Sequence, residues 1–129
     1  MNLIRKTYDT TEVQITSFQS TKGITEYHIF FQQTNCLEDF HTQLQHIQDV
    51  YARSVEELPG NPVAIFRRYF LSDVTNQTAL LMEKDRSNPY CALSIVQQAP
   101  MNGTKIALWV WLQTGVQTQV LPSNLFEAR

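Results

Sequence analysis

Two segments of this chain read as strands that are apolar on both faces, VAIFRRYFL at 63–71 and TKIALWVWLQ at 104–113. A strand sends successive side chains to opposite sides, so one that faces water on one side alternates apolar with polar residues. Neither segment does. In the second, Ile106, Leu108, Val110 and Leu112 alternate with Ala107, Trp109 and Trp111; in the first, only Arg67 and Arg68 interrupt the apolar run. Such strands belong inside a sheet whose two faces are both covered. Helices of the same chain can cover one face. The other needs something from outside the subunit, because an exposed patch of this kind is too large for most monomers.

The segments around these two complete an element order. Residues 4–8 and 13–18 are short strand candidates, with Asp9, Thr10 and Thr11 as turn chemistry between them. Residues 25–33, TEYHIFFQQ, place Tyr27, Ile29 and Phe31 on one face and His28 and Phe30 on the other. A long helix follows, for which Asn35 and Glu38 have capping-box spacing. Its apolar stripe is Phe40, Leu44, Ile47, Tyr51, Val55 and Leu58, and His41, Gln45, Gln48, Asp49 and Glu56 are expected to meet solvent. Pro59 and Gly60 end it. Leu80, Leu81 and Met82 carry a weaker helical pattern over 76–83, a polar connector runs through 84–89, and strands are expected over 91–98 and 104–113. The order is β-β-β-α-β-α-β-β. Its strand-helix-strand passages imply right-handed crossovers and at least one parallel pair, and a mixed sheet with two helices on one face is the compact solution.

Composition narrows the function. The 129 residues fit one domain, which at this size buries roughly two-thirds of its unfolded surface. Only 17% are charged, as expected where a partner subunit covers part of the surface. The net charge is −2 with no basic run, so nothing grips nucleic acid electrostatically and none is expected as a partner. His28, His41 and His46 form no i,i+4 pair, and Cys36 and Cys91 make no ligand spacing with them, so neither a metal nor another cofactor is expected. The two cysteines read as free thiols in a reducing compartment. With no signal-like apolar run and no stretch near the ~20 apolar residues of a membrane span, the expectation is a soluble, cytoplasmic chain.

The segment 65–113 carries a resemblance. YFLSD at 69–73 is similar to the strand end V-x-x-T-V-F-L-x-D of the RidA/YjgF superfamily, historically labelled endoribonuclease L-PSP. A proline and small turn, APMNG at 99–103, precede the closing strand, as in that family. The chain resembles a divergent member, or one domain of a tandem-domain member. The resemblance implies an α+β, chorismate-mutase-like fold over 1–113, with 114–129 a C-terminal tail or the start of a further domain. It also implies a homotrimer, or a pseudo-trimer with sibling domains, with clefts between subunits. Characterised relatives hydrolyse enamines and imines, some are reported as ribonucleases, and related tandem proteins cleave chorismate.

Where that family keeps its catalytic groups, this chain has others. The arginine that pairs with a substrate carboxylate falls here on Cys91 or a neighbour, and the water-orienting glutamate on Ala107 or Trp109. A Ser-Gly pair of the third strand is replaced by Phe31-Gln32-Gln33. A thiol cannot replace a planar bidentate donor. The expected function is therefore a small-molecule-binding or structural module, with a small carboxylate as the ligand. The alternative is a hydrolase or deaminase of a small imine, enamine or chorismate-like carboxylate, working in an inter-subunit cleft. The cleft candidates are Arg68, Cys91, Gln97 and Gln98. Arg67 and Arg68 point to opposite faces, and the favoured reading of either is a structural arginine, paired with Asp73 or reaching the sheet edge, with Arg68 the better candidate for the cleft; Trp109 and Trp111 are read as subunit contacts.

Overall fold

The computed structural model describes residues 2–20, 22–85 and 91–115. The connector beyond Asp85 and the tail beyond Gly115 lie outside the described residues. The elements are β1 (Asn2–Tyr8), β2 (Thr11–Gln19), β3 (Thr25–Gln33), α1 (Phe40–Glu57), β4 (Val63–Leu71), α2 (Val74–Lys84), β5 (Ala92–Gln97) and β6 (Ile106–Gln113). This is the expected order. One sheet holds all six strands as β1-β2-β3-β6-β4-β5. Neighbours are antiparallel except β4 and β5, which α2 connects in parallel.

The two doubly apolar strands lie side by side, with β6 between β3 and β4. Both helices cover the same face, where Val13, Ile15, Ile29, Phe31, Tyr69, Leu71, Leu108 and Val110 form one core with Leu44 and Ile47 of α1 and Leu81 of α2. Trp109 and Trp111 face the other way, as strand alternation requires.

The cap of α1 differs from the sequence expectation. Asp39 caps it, its carboxylate accepting from the Thr42 amide at 2.8 Å. Asn35 instead closes a turn one step earlier, accepting from the Leu37 amide at 3.0 Å. Both residues are good caps, and the one directly before the helical backbone takes the role. The buried seam also rotates toward polar positions. Gln43 and Ser54 are buried beside Leu44, Ile47 and Val50, while Phe40, Tyr51 and Val55 flank them half-buried. Gln48 is half-buried rather than solvent-facing. At the other end, Pro59 pushes Leu58 out of the helical region, to φ −83° and ψ 138°, and Gly60 turns at φ +84°. A side chain at Gly60 would meet Thr114 Cγ2 at 2.8 Å.

The second helix starts two residues earlier than expected because Asp73 caps it. Its carboxylate accepts from the Asn76 amide, and the Gln77 side chain accepts in return from the Asp73 amide. The end of YFLSD is thus committed to starting α2.

Candidate functional site

Cross-strand register arranges the face without helices into three rungs. The first runs Leu3, Thr16, His28, Trp111, Phe66 and Ala92 from β1 to β5. The second is Arg5, Gln14, Phe30, Trp109, Arg68 and Ser94; the third is Thr7, Glu12, Gln32, Ala107, Phe70 and Val96. In the first two rungs the aromatic side chains touch. His28 stacks on both tryptophans, with ring centroids 5.7 Å from Trp109 and 6.0 Å from Trp111. Phe18 meets His28 edge-on, and Phe66 meets Trp109. Glu26 ties the end of this cluster, accepting from Trp111 Nε1 at 2.9 Å.

Toward the third rung the face becomes concave. A hollow of about 370 Å³ is lined by Phe30, Gln32, Phe70, Gln98, Ala99, Pro100, Met101 and Ala107. It opens where the β5–β6 turn rises over the ends of β3 and β4. That turn is anchored from below. Asn102 donates to the Gln33 carbonyl at 2.7 Å and accepts from the Thr104 hydroxyl at 2.6 Å, and buried Gln43 of α1 accepts from the Lys105 amide at 2.8 Å. A second hollow of about 270 Å³ lies beside the first, under β1 and β2, and shares Phe30 and Gln32 with it.

The expected cleft residues do not converge. Arg68 lies on the open face one rung from the larger hollow, its Nε donating to Ser94 Oγ at 3.2 Å and its guanidinium 5.2 Å over Phe66. Cys91 lies on the opposite side, buried in the core, and accepts from Arg67 Nε at 3.3 Å. Burial raises the thiol pKa, and the hydrogen bond from Arg67 only partly opposes this, so the thiol stays protonated at neutral pH and is a poor nucleophile. Gln97 is exposed and spends its side-chain oxygen on the Val74 amide at the start of α2. Of the four, Gln98 alone lines the larger hollow.

Arg67 is structural, but its partner is Asp85 rather than Asp73. Both side chains are 3% exposed, and Tyr69 also donates to the same carboxylate oxygen at 3.2 Å. Burial works against the charge on Arg67; the hydrogen bond and charge of Asp85 outweigh it, and the guanidinium pKa is raised. Sequence distance hid this pair, because the end of α2 meets β4 only after the crossover. Sequence reading also missed the row of His28 between the tryptophans, which depends on the β3–β6 register.

Among the described residues, no group of three or more metal-ligating side chains occurs, and no helix is long and apolar enough to cross a membrane. No family model matches the chain, and no curated protein matches it. A solved structure described as a "putative translation initiation inhibitor" from Salmonella typhimurium is similar, with a TM-score of 0.60 at 14% identity over 84% of this chain and 95% of that one. At that identity the likeness concerns the fold. The chain has the RidA/YjgF-like α+β fold, with two helices on one face of a six-stranded mixed sheet.

Proposed function

We propose that this chain is a binding module that holds a small carboxylate in the hollow of its open sheet face and does not hydrolyse it. One observation carries the reading: among the described residues, the larger hollow is lined by two phenylalanines, two glutamines and small or apolar residues, with no carboxylate, histidine or cysteine. Such a lining supplies apolar contact and amide hydrogen bonds but no group able to activate water. The hydrolase alternative drew on Arg68, Cys91 and Gln98, and its thiol lies on the far side of the sheet.

Assembly completes the proposal. The aromatic cluster of Phe18, His28, Phe66, Trp109 and Trp111 is covered by copies of the same chain in a trimer, or by sibling domains in a longer protein, and the hollow at the end of the face becomes a cleft at the rim of that contact. The test is calorimetric titration of the full chain with 4-methylpentanoate, a small branched carboxylate. Saturable binding is expected in the millimolar range or tighter, lost in Phe70→Asp, which puts a like charge in the apolar wall. Absence of saturable binding to the unaltered chain overturns the reading.

A further inference from the structure

The smaller hollow has a different chemistry from its neighbour. Arg5, Thr7, Glu12, Val13, Gln14, Phe30 and Gln32 line it, so one guanidinium, one carboxylate and two primary amides border the same phenyl ring. Among the described residues, Arg5, Glu12, Gln14 and Gln32 make no side-chain hydrogen bond or ion pair. Arg5 pairs with Gln14 and Thr7 with Glu12, so the two charges occupy diagonal positions of the β1–β2 hairpin. Diagonal positions in such a pair are about 7–8 Å apart, within reach of long side chains. The charges nevertheless stay separate, on either side of an open space.

A ligand for this space has a negative and a positive group close together. Phe30 and Gln32 are walls of both hollows, and the Phe30 ring lies 6.2 Å from the Phe70 ring, so a ligand held between Arg5 and Glu12 that reaches across Phe30 comes to Phe70. We infer that the two hollows are one groove for a free α-amino acid with an apolar side chain. Its carboxylate meets Arg5, its ammonium meets Glu12, which pairs that carboxylate with the ligand instead of leaving it free to activate water, and its side chain lies against Phe30 and Phe70. Arg5 suits the first role, since a guanidinium engages a carboxylate through two parallel N–H donors. Gln14 and Gln32 offer amides to either end. The inference rests on the proposed binding function and places the head-group contact on the first two strands.

Calorimetric titration with L-leucine, 4-methylpentanoate and isopentylamine separates the parts, because the last two lack the ammonium and the carboxylate in turn. Leucine is expected to bind the full chain at least about tenfold tighter than either, the usual scale for a hydrogen bond to a charged partner. Arg5→Gln should weaken leucine about tenfold while leaving isopentylamine unchanged. Glu12→Gln should weaken leucine similarly and leave 4-methylpentanoate unchanged. Both residues are exposed, so neither variant threatens the fold. Leucine affinity untouched by both variants, or no tighter than that of 4-methylpentanoate, overturns the inference while the carboxylate-binding function stands. If leucine affinity falls in Arg68→Gln but not in Arg5→Gln, the head group belongs to Arg68 and the inference fails. If neither leucine nor 4-methylpentanoate binds, both readings fall together.

Discussion

Arg67 and Arg68 are adjacent and identical in chemistry, and the strand sends them to opposite fates. Alternation puts Arg67 under the helices, where a charge is tolerated only with a partner, and Asp85 with its second donor Tyr69 supplies one. Arg68 stays on the open face and shares its charge with Ser94 and the face of Phe66. Substitution should expose the difference. Arg67→Met leaves a carboxylate buried without its cation, a change that costs about 3–5 kcal/mol in such pairs, whereas Arg68→Met should alter stability by less than about 1 kcal/mol. Denaturant midpoints of the two variants measure this. Adding Asp85→Leu to Arg67→Met should recover part of the loss, since removing both charges also removes the burial penalty. No recovery would mean that packing of the arginine stem, rather than its charge, dominates.

At the level of elements, α1 shapes the larger hollow from behind the sheet. Gln43 is fully buried on its seam, donates to the Glu38 carbonyl at 2.7 Å and accepts from the Lys105 amide at 2.8 Å. One side chain therefore holds both the first turn of the helix and the foot of the turn that carries Pro100 and Met101. Gln43→Leu fills the same space but strands two backbone groups, each worth about 1–3 kcal/mol when buried without a partner. The expected result is lower stability together with faster hydrogen exchange at the Lys105 amide; unchanged exchange there would show that water replaces the glutamine. Much of this level was legible in advance. Periods of two and of three to four placed every strand and helix, and the two doubly apolar segments became neighbouring inner strands. Gln43 was not legible, because its neighbour Leu44 accounted for the stripe and its partner Lys105 lies 62 residues away. The candidate site was legible mainly at Gln98. Arg5 and Glu12 look like ordinary polar positions of a hairpin until the sheet sets them beside Phe30.

For the whole molecule, the decisive feature is that one face of the sheet is covered by helices and the other by nothing in the chain's described residues. His28, Trp109, Trp111, Phe66 and Phe18 form a continuous aromatic surface there, with the charges of Glu26 and Arg68 at its ends among the described residues. Aromatic groups with few charges are what the centre of a subunit contact is made of. The proposed trimer therefore predicts where it can be broken. Trp109 lies at the middle of the second rung, half-buried against His28 and Phe66, so Trp109→Glu would leave a carboxylate facing the neighbour's aromatic groups. Light scattering at several concentrations should give the mass of three chains for the unaltered protein and of one for the variant. Thr75→Glu, at an exposed position in the first turn of α2 where a negative charge is favourable, should leave the mass of three unchanged. A single-chain mass for the unaltered protein at every concentration would reject self-assembly, leaving a sibling domain as the cover for this face. A trimer that survives Trp109→Glu would place the contact elsewhere and leave the aromatic rungs free to widen the binding groove.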